Sequence, residues 1–201
     1  MNKLTSFVLG AAGVILVASP GWAQERVNVR GTVAKFEAPV LTVTSREGPT
    51  LTVKLADNAP VRGVVKATLA DVKVGSYLGV SAMPQADGTQ RAISITIFPE
   101  GVRPPESFRP HDLQPGSTMT NATVDTTAAG VDGQVLTLKY KDGEKKITVP
   151  ANIPIVTYVA GDRGELKPGA KIVIFNAVKQ ADGTLQAANI NVGRDGMMPP
   201  M

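Results

Sequence analysis

The chain has 201 residues, no Cys, one His and a formal net charge of +4 at pH 7. The lack of Cys excludes disulfides, thiolate catalysis and thiolate metal sites. Aromatic residues make up only 4% of the chain, so rings for stacking on bases are scarce and no nucleic-acid partner is expected. Acidic and basic residues are nearly balanced in both halves, so the net charge by itself does not indicate a polyanionic partner.

The first 23 residues have the organisation of an export signal. Lys3 gives a positive start, Phe7–Ala18 is apolar, and Gly21-Trp22-Ala23 places small residues at a typical cleavage position. The apolar stretch is shorter than the about 20 residues that a membrane-spanning helix needs. Residues 1–23 are therefore predicted to be a signal peptide, leaving Gln24 as the first residue of a periplasmic protein with no membrane span. An uncleaved anchor is the alternative.

The rest of the chain contains one small module twice. Residues 85–89 read Gln-Ala-Asp-Gly-Thr, and the same five residues return at 180–184, 95 positions later. Pro104-Pro105 and Pro199-Pro200 are related by the same offset. Self-similarity at a fixed spacing indicates a repeated structural unit.

Each copy has the pattern of strands and contains no helical stripe. Apolar and polar residues alternate with a period of two, which is typical of strands with one buried face, in Val27–Val33, Thr50–Leu55, Arg91–Ile97 and Ala188–Val192. The predicted interior residues are Val33, Leu41, Val43, Leu51, Val53, Leu78, Val80, Ile93, Ile95 and Ile97, with Leu136, Leu138, Ile147, Val149, Ile172, Ile174 and Ile190 in the second copy. The Asp-Gly pairs at 87–88, 142–143 and 182–183 favour type I′ hairpin turns.

Five short strands per copy predict an all-β protein made of two tandem, small, OB-like five-stranded barrels, because closure removes exposed sheet edges. A small open sandwich is the alternative. The predicted boundaries are 24–101 for barrel 1, 102–119 for a Pro-rich linker, 120–196 for barrel 2 and 197–201 for a Met/Pro tail. Four prolines in the linker disfavour helix and central strand. Within the linker, Arg109-Pro110-His111-Asp112 is interpreted as part of an ordinary spacer, and docking of this segment onto a barrel is the alternative.

The second copy carries a family resemblance in five segments: Leu136-Thr137-Leu138, Asp142-Gly143, Ile147-Thr148-Val149, Leu166–Phe175 and Ile190-Asn191-Val192. Together these resemble exported bacterial tandem OB-like domains and, more distantly, the periplasmic Cus-type copper and silver chaperones. In the Cus-type chaperones, His, Met and Trp residues on the barrel strands bind Cu(I). The corresponding stretches here, Glu47–Leu55 and Asp142–Val149, contain none of these residues, so the resemblance implies the fold but not that metal site.

Catalysis is not expected. Nucleophilic catalysis needs a base beside the nucleophile, and the single His, His111, lies in the predicted linker. No Gly-rich phosphate loop is present, and the carboxylates of Asp87, Asp142, Asp162 and Asp182 are expected to serve turns. The predicted function is that of a non-enzymatic binding or scaffolding module for a periplasmic protein or an envelope polymer. Its contact surface would include Tyr77, Tyr140, Tyr158 or Phe175.

Methionine residues suggest an alternative function. Met197, Met198 and Met201 end the chain, and thioethers are soft ligands that suit Cu(I). His111 and Met119 would add ligands if the tail folds back. The alternative prediction is therefore a periplasmic copper-binding protein using Met197, Met198, Met201 and His111, with an unbound tail as the competing interpretation. A further basic hairpin, Lys139–Lys146, is either an anion-contact surface or simply solvated.

Overall fold

The computed structural model describes residues 24–131 and 133–200, so the predicted signal peptide and Met201 lie outside the described residues. Fourteen strands and three single-turn 3₁₀ helices make up the described chain, which confirms the all-β prediction. The strands of the first half are β1 Arg26–Glu37, β2 Val40–Ser45, β3 Thr50–Leu55, β4 Val61–Lys66, β5 Tyr77–Pro84, β6 Gln90–Phe98 and β7 Ser107–Pro110. Those of the second half are β8 Thr118–Gly130, β9 Gly133–Tyr140, β10 Gly143–Val149, β11 Ile155–Ala160, β12 Lys171–Lys179, β13 Leu185–Ala187 and β14 Ile190–Gly193. The 3₁₀ helices are Leu69–Asp71, Arg163–Glu165 and Arg194–Gly196.

The repeated Gln-Ala-Asp-Gly-Thr segments form equivalent turns. Asp87 accepts hydrogen bonds from the backbone N–H and the hydroxyl of Thr89 at 2.9 and 2.7 Å, and the turn at 180–184 has the same bonds at 2.9 and 2.6 Å. Gly88 has a φ of 82°, whereas Asp87 does not have a positive φ. The turns are therefore not the predicted type I′ turns, in which both central residues have positive φ. These turns are longer than a two-residue type I′ turn. The hydrogen bonds of the Asp side chain and the positive φ of one Gly are therefore enough to form them.

Strands of the two copies close two rings of five. In the first barrel the order is β1–β2–β3–β13–β12–β1, so three strands come from the first copy and two from the second. In the second barrel the order is β8–β9–β10–β6–β5–β8, with three strands from the second copy and two from the first. Each ring has one parallel pair, β3 with β13 and β10 with β6. The repeated module is thus reciprocally exchanged between the halves of one chain.

A central layer joins the two barrels. β4 and β11 pair antiparallel. β4 also lies parallel to β14, which pairs with β12 of the first barrel, and β11 lies parallel to β6 of the second barrel. Opposed residues in this layer include Val64 and Tyr158, which form a small apolar cluster with Val156. The two barrels are therefore parts of one continuous sheet system.

The two apolar cores follow the rings and not the repeats. One core contains Val29, Val33, Leu41, Val43 and Val53 from the first copy, packed with Ile172, Ile174, Leu185 and Ile190 from the second. The other contains Leu78, Val80 and Ile95, packed with Val124, Leu136, Leu138 and Ile147. Most predicted interior residues are buried. Ile93 is only half-buried because a β-bulge in β6 shifts the alternation, so that Ala92 and Ile95 face the core instead.

The structure does not confirm two tandem barrels at 24–101 and 120–196, because each core needs strands from both segments. The physical reason is that alternation specifies which side chains face inward, whereas it does not specify which strand supplies the neighbouring edge. The predicted linker 102–119 contains β7, which pairs with β8, and the first residues of β8 itself. Among residues 24–131 and 133–200, no helix is long and apolar enough to cross a membrane.

Candidate functional site: a basic cleft between the barrels

Residues 102–117, here named the strap, are anchored to the second barrel at two places. The hydroxyl of Tyr77 donates a 2.6 Å hydrogen bond to the carbonyl of Pro104, and the Arg103 guanidinium lies 4.1 Å from the centre of the Tyr77 ring. Further along, Phe108 stacks on Tyr140 at a ring separation of 6.4 Å. These contacts use the aromatic side chains that the sequence suggested as a contact surface, so Tyr77 and Tyr140 are engaged within the chain.

The strap reaches the first barrel through Asp112. Its carboxylate accepts hydrogen bonds from both terminal nitrogens of Arg30, at 3.0 and 2.8 Å, and a third from the Asn28 amide at 2.9 Å. The Arg30 residue is only 5% exposed. Hydrogen bonds from Arg30, together with the Asn28 bond, hold the pKa of Asp112 well below its usual range. The favoured spacer interpretation of Arg109–Asp112 is therefore wrong, and the alternative, docking onto a barrel, is observed.

A cleft of about 370 Å³ lies between the strap and the barrels. Its cationic side chains are Arg62 from β4 and Arg103 and Arg109 from the strap. No Asp or Glu is among the residues that line it. The Arg103 guanidinium forms an ion pair with Glu106 at 3.3 Å and donates a hydrogen bond to the Thr123 hydroxyl at 3.0 Å. Arg62 and Arg109 form no ion pair within residues 24–131 and 133–200, so two guanidinium groups remain available in the cleft.

Amides and rings complete the cleft lining. Five Asn side chains contribute, namely Asn28, Asn121, Asn176, Asn189 and Asn191. The rings are Phe98, Tyr158 and Phe175. Burial raises the pKa of Tyr158 to about 12, with the nearby Arg62 charge opposing this only in part, so the phenol stays protonated at neutral pH.

Two buried polar side chains in this cleft have atoms without a hydrogen-bond partner among the described residues. Asn191 is 2% exposed, and its Oδ1 accepts no hydrogen bond within the described chain. His111 is 9% exposed, and neither Nδ1 nor Nε2 is hydrogen-bonded, since Asp112 Oδ1 lies 3.3 Å from Nδ1 without suitable geometry. Burial lowers the pKa of His111 to about 4, against the raising effect of Asp112, so the ring is neutral at pH 7. Buried polar atoms without a protein partner are typical of sites that bind water or a ligand.

A β-bulge shapes one wall of the cleft. Opposite Asn28 of β1, strand β12 places two residues, Phe175 and Asn176, and Asn176 has a φ of 55°. The Asn176 backbone N–H donates to the Asn28 side-chain oxygen at 3.0 Å, which stabilises the bulge. Bulges of this kind redirect side chains. Phe175 and Asn176 consequently line this cleft and also a second cleft of about 380 Å³ beside it.

The predicted metal ligands are only partly brought together. His111 and Met119 line the same cleft, on one face of the β7–β8 hairpin. Met197 packs instead against the cluster of Val64, Val156 and Tyr158, and Met198 is not among the cleft-lining residues. Met201 lies outside the described residues. Within 24–131 and 133–200, no group of three His, Asp or Glu side chains is arranged to hold a metal.

Sequence reasoning identified Tyr158, Phe175, His111 and Met119 but missed the cations and amides of the cleft. Arg62 and Asn191 are neighbours only because β4 and β14 pair in parallel register. A weak signal existed in the second copy, where Asn189 and Asn191 alternate with apolar residues and so share an outward face.

Comparison with known proteins gives no relative. No protein-family model matches the chain, and no curated protein or solved structure is significantly similar to it.

Proposed function

We propose that this protein is an exported, non-enzymatic binding module whose basic cleft holds an anionic group of an envelope polymer. The observation that carries the proposal is the accumulation of Arg62, Arg103 and Arg109 in a cleft lined by no carboxylate. The planar guanidinium group matches carboxylate and phosphate geometry, and such charge-assisted hydrogen bonds are about twice as strong as neutral ones. The unpartnered amide oxygen of Asn191 supports a ligand that also donates hydrogen bonds.

A binding role agrees better with the cleft chemistry than catalysis does. The lining contains no Ser, Lys, Asp or Glu, so proton transfer would fall to His111 and Tyr158 alone. The Tyr158 pKa of about 12 makes it a poor acid and a poorer base near neutral pH. The strand order within each ring supports our inference that the barrels are OB-like, a fold that binds oligosaccharides and other polymers through a sheet face and loops.

The test compares two matched arginine variants. Arg62→Gln removes a cleft cation, whereas Arg91→Gln removes an exposed strand cation that has no ion-pair partner among the described residues and lies outside the cleft. Binding of residues 24–201 to alginate, with neutral dextran as control, is measured by calorimetry at low and high salt. We expect Arg62→Gln to weaken alginate binding about tenfold, or about 1.4 kcal/mol, and Arg91→Gln to leave it unchanged. Equal losses in both variants, or no alginate binding, would contradict the proposal.

A second candidate function is binding of a soft metal such as Cu(I). It is favoured by the imidazole of His111 and the thioether of Met119 in one cleft, with Met197 packed against Tyr158, which lines that cleft. Under this alternative, a Cu(I) titration against a competing chelator gives stoichiometric uptake by the mature chain. Uptake should be reduced by His111→Gln and by ending the chain at Gly196. If all three chains behave alike, the alternative is removed.

A further inference from the structure

The basic cleft continues into the second cleft along the face of the first barrel. Phe175, Asn176 and Asn189 line both, so the two share a wall. Each volume, about 370 and 380 Å³, is within the range of roughly 300–1,000 Å³ typical of small-molecule sites. Asn176, Gln186 and Ala188 in the second cleft are exposed, so this part is open to solvent along its length. An open groove of this kind admits the interior of a long chain as well as its end.

Cationic groups occur in both parts of the groove. Arg62 and Arg109 lie in the basic cleft, and Arg26 lines the second cleft. Arg26 is exposed and has no ion pair within the described chain. Charge at two separated points, with Phe175 between them, suits a ligand whose anionic groups recur along its length.

The remaining lining distinguishes a sugar chain from other polyanions. Amide side chains, from Asn176 and Asn189 at the junction to Gln186 beyond it, offer both donors and acceptors, as hydroxyl groups require. The half-buried ring of Phe175 offers an apolar face at the junction, against which the C–H face of a sugar ring can lie. A polyphosphate has neither the hydroxyl groups nor the apolar ring face of a sugar. A site for polyphosphate therefore needs neither several amide side chains nor an exposed aromatic ring.

We propose that the two clefts form one groove that binds an internal segment of a linear, carboxylate-bearing polysaccharide. One carboxylate lies at Arg62 and Arg109, another at Arg26, and a sugar ring between them covers Phe175. This proposal rests on the proposed function, because it assigns the polymer class to the same basic cleft.

The experiment measures affinity against ligand length. Oligogalacturonates and oligomannuronates of one to eight units are titrated into residues 24–201, and polyphosphate of similar charge serves as the non-sugar control. We expect affinity to rise at least tenfold between one unit and the lengths that occupy both clefts. Phe175→Ala and Arg26→Gln should abolish that rise, and Arg62→Gln should weaken binding at every length, a single uronate included. Arg26→Gln changes an exposed side chain, so it tests the groove even if Phe175→Ala fails to fold.

The outcomes separate the two proposals. Uronate binding that depends on Arg62 but not on length, Phe175 or Arg26 would overturn the groove and leave the anion-binding cleft intact. Polyphosphate binding as tight as that of the oligouronates, and unaffected by Phe175→Ala, would overturn the polysaccharide assignment. Absence of binding for both uronate series, whatever the length, would overturn both proposals.

Discussion

At the scale of single residues, His111 shows how burial controls charge. It is the one His in the chain, it is 9% exposed, and Asp112 beside it does not compensate for the loss of hydration. Its pKa of about 4 in the folded protein is below the ordinary 6.5. The folded chain therefore binds fewer protons than the unfolded chain between pH 6.5 and pH 4.

This difference predicts a loss of stability on mild acidification. The free energy of unfolding should fall as the pH drops below 6.5, by about 2 kcal/mol at pH 5, because each unit of pH in this window costs about 1.4 kcal/mol. Urea denaturation at pH 7 and pH 5 measures it. His111→Gln cannot be protonated and should show a much smaller change, and an unaltered pH dependence in that variant would contradict the assignment. Asp112 titrates below this window and does not contribute.

At the scale of elements, the strap is a connector that became part of the fold. Two Arg–carboxylate pairs of the strap differ in the burial of their arginine: Arg30 is 5% exposed and its partner Asp112 48%, whereas Arg103 is 58% exposed and its partner Glu106 32%. Exposed pairs contribute little because water screens them, while removal of one partner from a buried pair is costly.

The pair of strap variants tests this inequality. Asp112→Asn should lower the free energy of unfolding by about 2 kcal/mol, because Arg30 loses a charged bidentate acceptor, and Glu106→Gln should lower it by about 0.5 kcal/mol or less. Thermal and urea unfolding give the energies. Hydrogen exchange of the His111 amide, which donates to the Ser117 carbonyl within the strap, reports whether the turn that holds Asp112 opens. Comparable losses in both variants would show that burial of Arg30 is not what holds the strap.

At the scale of the whole molecule, strand exchange makes the halves interdependent. β1, β2 and β3 cannot close a ring without β12 and β13, and β8, β9 and β10 need β5 and β6. The two halves are copies of one module. Two copies of the same half therefore present the same complementary strand edges as one copy of each half. Exchange of identical elements between chains is an accessible route to dimers.

Fragments test this arrangement directly. Residues 24–101 alone should be either unfolded or a dimer, and should combine with 102–201 into a folded 1:1 complex. Sedimentation equilibrium gives the mass, and circular dichroism gives the strand content. A folded monomer of 24–101 would contradict the exchanged rings and restore the tandem-barrel prediction.

The sequence by itself determined the all-β class, the repeat and most inward-facing residues, including Leu41, Leu136 and Ile172. These features are local, since alternation with a period of two and Asp-Gly turns act within a few residues. Only the tertiary structure decided which copy supplies each neighbouring strand, because equivalent strands of a repeat present equivalent edges. It also decided the cleft, because Arg62, Arg109 and Asn191 are far apart along the chain. Arg62 and Asn191 meet through the parallel pairing of β4 with β14. Arg109 is brought to them by the docking of Asp112 onto Arg30, 82 residues away.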